Sequence, residues 1–504
     1  MRLPRPGTTM SVVSATVVLA VLATTLATGG ASAGGGTTSP VTTAPVTRAE
    51  LVCPVVATTA GVAQATVSVS SARGDLGNRR GATSPSGTIG LYPLTAAEIA
   101  APIVTAAAGS AVLRYQVPAG KGRPLIVRAT GDFAGGLTAS VTTRTIAGPT
   151  RSLQTVQCSA SGGDSWYVGG GAAIGRLSRV YLTNIDAAPA TVDVAVYTPT
   201  GIQRPLPVQG RTIAPGQQYS IGIDQLVPGT AATALHVTTR SGRVASAVYD
   251  SQLNGGQALG VDWVPASAGP ARTVVIPGIP GDDDALRTLN LVVPGADDAT
   301  INVRLVTTQG TLSPDALQSL SVQVGQVFSV SLAGPAPVGP LSVIVESDRP
   351  VVAGVRTVRP AGGAGRFPDF SWASAAAPMA GAVILPTVTH TAAISTELQL
   401  SAPGQNDVVA DVTTLVSSGI APTPVRVTVP AGQTLQIPVG PLGDALSSVL
   451  VRVAPGADPL YVGWVLTEDG LHGPLVTGGS LPQTPPSITL PDVAPDPAVG
   501  YPGH

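Results

Sequence analysis

Charge and aromatic rings are scarce in this chain. Only 11% of its 504 residues are Asp, Glu, Lys or Arg, and 3% are Phe, Trp or Tyr. A net charge of −1 leaves no basic footprint for a nucleic acid. The cations are almost all arginine, with Lys121 the single lysine, a bias that coding composition explains better than function. Four histidines (His236, His390, His472 and His504) lie far apart, and no H-E-x-x-H run exists, so a zinc hydrolase has no support. The two cysteines form no C-x-x-C pair. There is no G-x-S-x-G elbow, and Lys121 has no serine three residues before it. Gly163-Asp164-Ser165 resembles a protease nucleophile turn, but Trp166-Tyr167 follow where glycines are required. Also missing are helical patterns of 10–15 residues between strands, which excludes a parallel α/β sheet.

What remains is β-branched and punctuated. Hydrophobic residues make up 44%, and 60 Gly and 47 Pro break the Val-, Thr- and Ala-rich runs, a composition that favours strands and turns. Three times the chain writes a strand, a Gly/Asp/Pro turn and a second strand, starting at Tyr181, Leu291 and Gln399. A second signature follows each: IAPGQQYSIGI, VQVGQVFSVSL and VPAGQTLQIPV. Its Gly-Gln pair begins at Gly216, Gly325 and Gly432, steps of 109 and 107 residues. Period-2 alternation with a turn every 8–12 residues predicts an all-β fold of tandem β-sandwich modules. The modules, about 105–110 residues each, resemble generic immunoglobulin-like and fibronectin-like sandwiches, an analogy of fold that says nothing about chemistry. LRYQVPAGKGRPLIVRA reads as the same second signature in the first module, with a different turn. Leu94–Val104 is the best helical candidate, and Ser313–Leu320 reads as one helical turn or two, with Ser313 as N-cap and Pro314 at N1.

The organisation read from these signals has seven parts. Residues 1–33 carry Arg2 and Arg5, an apolar run and Ala31-Ser32-Ala33, the pattern of a secretory signal peptide. Residues 34–49 are a flexible Gly/Thr/Pro linker. Modules follow at 50–165 (with an insertion around Arg73 to Pro102), 166–265, 266–372 and 373–482, and 483–504 is a Pro-rich tail expected to be disordered. Pro54, Pro277 and Pro386 mark a shared opening strand. In an exported protein the pair Cys53 and Cys158 predicts one disulfide.

An Asp beside a Trp closes each of the first three modules: Asp164 with Trp166, Asp262 with Trp263, Asp369 with Trp372. The fourth ends LVTGGSLP and lacks it. The pairs are expected to seat one module against the next, and the last module, with no neighbour, needs none. Asp282, Asp283 and Asp284 are the candidates for a calcium ion, but the alternate-residue spacing of a calcium loop is absent and no metal is assigned. Arg73-Gly74-Asp75 and the Leu481–Pro485 string have chance origins as adhesion or sortase signals.

The signal sequence, the early Cys53-Pro54, Cys158 followed by Trp166, and turns before A-T-V-x-V runs resemble a secreted actinobacterial family known as a domain of unknown function. Asn184 stands here without the proline of that turn. The resemblance covers about 50–480. It implies a β-rich extracytoplasmic protein and transfers no active site. The expectation is a non-enzymatic, secreted or envelope-associated scaffold without cofactor, its partner a cell-wall polymer or another envelope protein. No nucleic acid is involved, and a membrane only if the signal sequence stays as an anchor. A cell-wall glycan-binding protein is the alternative, and an unrecognised hydrolase the third.

Overall fold

The computed structural model describes residues 43–72, 86–95, 101–282, 284–379, 381–388, 393–416, 423–439, 447–483 and 487–489. The signal peptide, most of the insertion and most of the tail lie outside them. Two units result. The smaller is residues 1–44 and 488–504, of which 43, 44, 488 and 489 are described, within the paired strands Thr43–Pro45 and Ser487–Thr489. The larger, residues 45–487, holds every other sheet.

That larger unit is all antiparallel β, in four sandwiches that repeat one strand order. In the first, the opening strand Arg48–Cys53 pairs with Leu125–Thr130, then Ile89–Pro93, then Val104–Thr105. The facing sheet runs Val112–Val117, Ala63–Ser70, Thr138–Thr145 and the closing strand Ser152–Gln157. The second runs Asp164–Val168, Ala234–Ser241 and Ala190–Thr198 against Gln217–Gly222, Arg176–Asn184, Ala245–Asn254 and Gln257–Val264. The third opens on Ala271–Ile279 and closes on Asp369–Ser374, its two sheets sharing the long strand Leu341–Arg359. The fourth opens on Ala382–Leu385, beside Ser447–Val453 and Val408–Val416. Its facing sheet runs Gln433–Pro438, Ile394–Ala402, Tyr461–Gly470 and Gly473–Ser480.

Alternation explains each core. In Ala190–Thr198, Ala190, Val192, Val194 and Val196 turn inward, the period-2 set of a pleated strand. Ala195 and Tyr197 on the opposite face are buried too, against Val292, Val327 and Val352 of the third sandwich. The same arrangement recurs from the third sandwich to the fourth (Val275, Val306 and Ile344 on Tyr461). From the fourth it recurs to the first, with Ile384, Leu415 and Leu450 on Ala72 and Val112. Between first and second, Ala247, Trp263, Tyr181 and Tyr249 of the second join the first core. Each sandwich therefore sets its opening-strand sheet against the closing-strand sheet of the next, and the fourth returns to the first. A head-to-tail contact repeated around a closing rotation makes a ring, here within one chain. Hydrogen bonds tie the closure. Ser70 Oγ lies 2.7 Å from Ser448 Oγ, Ser140 Oγ lies 2.5 Å from Thr387 Oγ1, and Arg144 holds both carboxylate oxygens of Glu468.

Several sequence expectations shift. Arg48 and Ala49, read as linker, pair with Thr130 and Ala129 and belong to the first opening strand. Asp164 and Trp166 open the second sandwich instead of closing the first, and Gly169 follows that strand where the others carry Pro54, Pro277 and Pro386. The Gly-Gln turns hold Gly216, Gly325 and Gly432 at φ 65°, 73° and 69°, the left-handed region only glycine enters freely. In the first sandwich that turn falls at Gly109 (φ 77°), ahead of Val112–Val117, and not at Gly120. The one or two helical turns expected at 313–320 are a single 3₁₀ turn, Asp315–Leu317, with extended Pro314 and not Ser313 in the cap position. The helical candidate at 94–104 includes residues outside those described, and its end, Val104–Thr105, is a strand against Gly90 and Leu91.

Candidate functional site

The four closing strands meet. Ser152–Gln157 packs on Gln257–Val264, that on Asp369–Ser374, that on Gly473–Ser480, and the last on the first again. Each is the edge of its own sheet, so its outward N–H groups have no ladder partner, and at the centre of a ring they would be buried orphans. Two aspartates collect them. Asp262 accepts from Thr155 N (3.3 Å), Trp372 N (3.2 Å) and Thr477 Oγ1 (3.1 Å), one from each of the other three sandwiches. Asp369 accepts from Leu153 N (3.1 Å) and Val476 N (3.0 Å). Burial pushes the Asp369 carboxyl up to about 7, against the opposing pull of those N–H donors. Burial likewise raises Asp262 well above the carboxylate range, the charge of Asp369 adding to it. Every named donor is an N–H or hydroxyl, so the carboxylates serve as acceptors; both bonds to Asp369 fall on Oδ2, and its buried Oδ1 has no hydrogen-bond partner.

The same strands exchange large side chains. Trp263 of the second sandwich belongs to the core of the first, 5.6 Å from Tyr181 and 5.3 Å from Tyr249 between ring centroids. Phe370 and Trp372 of the third complete the core of the second, and Leu153 of the first enters the core of the fourth. Trp372 Nε1 donates to Asp250 Oδ2 at 3.1 Å. Asp250 also accepts from Arg176 (3.0 and 2.7 Å) and Ser178 (2.6 Å). Burial would raise its carboxyl, but Arg176 outweighs burial and holds it below its ordinary value. The fourth closing strand inserts no ring. Gly479 and Gly463 instead bring backbone against Gly278 of the third, where an added Cβ on Gly463 would stand 2.2 Å from Gly278 N. Its missing Trp thus goes with a tighter contact, and the idea that the last module has no neighbour is overturned by the closure on the first.

Asp164 and Trp166 lie away from this centre. Trp166 stacks on His236 at 3.9 Å between centroids, and Asp164 Oδ2 is 2.9 Å from His236 Nε2. Ser165, one residue along the strand, projects from the opposite face, so no Ser-His-Asp constellation forms. Asp282 pairs with Arg359 at 3.0 Å, and Asp283 is outside the described residues. Among the described residues no cluster of three or more His, Cys, Asp or Glu could hold a metal ion, and Asp284 joins none. Cys53 and Cys158 form a disulfide that ties the end of the first opening strand to the residue after its closing strand. All four tryptophans are buried: Trp166 (4% exposed), Trp263 (3%), Trp372 (2%) and Trp464 (1%). None presents a face on the open surface for a sugar ring.

One cavity of about 400 Å³ opens where the first, second and fourth sandwiches meet. Leu51, Leu137, Val156, Tyr167, Trp263 and Trp464 line it, with Gln157 among them. A second, of about 500 Å³, lies beside Trp263 with Tyr181, Tyr249 and the Val55–Thr59 segment. Sequence reasoning missed Gln157, Leu153, Gly463 and Thr477, because each looks like an ordinary strand residue until the ring places it.

The model of a family described as "Family of unknown function (DUF5719)" matches residues 115–440. No curated protein matches the chain. Among solved structures, the tetra-tandem repeat in the extending region of a large adhesion protein aligns over 85% of this chain and 94% of that one. Identity is 12% and the TM-score 0.11, a likeness too low to carry an argument.

Proposed function

The chain belongs to DUF5719, a family of unknown function, and on that footing we propose that it is a non-catalytic scaffold of the cell envelope, exported and then held rigid. The observation behind this reading is the closed ring. Asp262 and Asp369, and three of the four tryptophans (Trp166, Trp263 and Trp372), are engaged in joining sandwiches. The Cys53–Cys158 disulfide suits an oxidising compartment. Among the described residues no helix is long and apolar enough to cross a membrane. The partner in this reading is another envelope protein. A photo-crosslinker at Leu206 (87% exposed) and, separately, at Val425 (63% exposed) tests it in cells. The expected result is a discrete adduct with one envelope protein from the extracytoplasmic fraction. A protein found only in the cytoplasm, or substrate turnover that is lost on changing a single Asp or Ser, would overturn it.

A further inference from the structure

The cavity between the first, second and fourth sandwiches has a chemistry that the ring does not use. Its volume of about 400 Å³ falls within the range of small-molecule pockets. No charged side chain is among its described lining. The hydroxyl of Tyr167 is already committed to Ser246, at 2.7 Å from its carbonyl and 2.9 Å from its Oγ, and burial pushes that phenol up to about 12, so it stays neutral. Ser159 Oγ likewise donates to the Ser246 carbonyl at 3.3 Å. Gln157 differs. It projects from the first closing strand on the face opposite Val156 of the core, and neither its amide oxygen nor its amide nitrogen has a hydrogen-bond partner although both atoms are buried. An amide left so costs free energy that a ligand could recover, and it offers one acceptor and a donor side by side.

We propose that this cavity binds an uncharged, predominantly apolar molecule carrying one neutral group that both donates and accepts, such as a carboxamide, and that Gln157 pairs with that group. A charged headgroup is disfavoured, since nothing in the lining would compensate its desolvation. Trp263 and Trp464 supply apolar walls, and Ala160, exposed at the rim, sits at the mouth. The proposal is independent of the scaffold reading, and either can fail alone.

Dansylamide, a neutral naphthalene sulfonamide, is a suitable probe, with 1-(dimethylamino)naphthalene as the counterpart lacking the polar group. Titration of the full chain, followed by probe fluorescence, should saturate at one dansylamide per protein. Gln157→Leu should weaken dansylamide about thirtyfold, the worth of two net hydrogen bonds at about 1 kcal/mol each, and leave the counterpart unchanged. Ala160→Trp, at an exposed position that need not disturb folding, should abolish binding of both. Non-saturable fluorescence, or full binding to Ala160→Trp, would overturn the site. Equal affinity of dansylamide for wild type and Gln157→Leu would overturn the role of Gln157 and point to water as the amide's partner.

Discussion

Trp372→Ala tests how far one sandwich depends on its neighbour. Trp372 sits on the closing strand of the third sandwich, is 2% exposed, and packs in the core of the second among Val248, Val264 and Phe370. Removing a fully buried Trp costs about 3–5 kcal/mol through lost transfer free energy and the cavity left behind. The Nε1 bond to Asp250 goes as well, though Arg176 and Ser178 keep that carboxylate partnered, so the added cost is about 1 kcal/mol. The total is about 4–6 kcal/mol. Hydrogen exchange read by mass spectrometry locates the loss. The account expects faster exchange in Ala190–Thr198 and Ala234–Ser241, strands of the second sandwich, as well as in Asp369–Ser374 itself. Faster exchange confined to residues 271–375, or a loss of under about 1.5 kcal/mol, would refute the reasoning.

Three further outcomes are expected. Because the folded carboxyl of Asp369 titrates near 7 and its unfolded value is 3.8, the native state keeps a proton that the unfolded chain has released. Its contribution is therefore full below about 4 and is lost as pH rises to about 7, at roughly 1.4 kcal/mol per unit. Asp369→Asn should reduce the fall of the urea midpoint between about pH 5 and 7, leaving the part that the raised Asp262 contributes, and an unchanged slope would remove Asp369 as a cause. Replacing Cys53 and Cys158 together by serine should cost about 4–5 kcal/mol by the loop-entropy estimate for a separation of 105 residues, read as a lower midpoint in urea. Gly463→Ala should cost about 1–3 kcal/mol by forcing the third and fourth sandwiches apart at Gly278, and a melting temperature like the wild type's would show that the approach is looser.

The fold was readable wherever one residue type is compelled by local geometry. Gly216, Gly325 and Gly432 recur because a left-handed turn before a strand admits little else, and the alternating valines of TVDVAVY and TINVRLV announce a pleated strand with a buried face. The disulfide followed from counting. The second sandwich's opening strand escaped because Gly169 replaces the proline marker; Asp164 with Trp166 opens a sandwich where the other pairs close one, yet Trp166 still joins two sandwiches, packing with Val292, Val327 and Val352 of the third. The ring itself left almost no trace in the sequence. The polar ties of its closure include Ser70, Ser140, Thr387 and Ser448, single hydroxyls with no period, brought together across as many as 378 residues. Gln157 carries no signal at all, since an unpaired amide is defined only by what surrounds it.

Ring closure is the central claim, and Ser70 with Ser448 tests it most directly. Their hydroxyl oxygens are 2.7 Å apart, on strands of the first and fourth sandwiches. Substituting Ser70→Cys and Ser448→Cys in one chain places two sulfurs within bridging reach if the ring is closed. The account predicts that a non-reducing peptide map joins the segments around positions 70 and 448 in monomeric protein, alongside the native Cys53–Cys158 link. Two free thiols at those positions under the same oxidising conditions would contradict it.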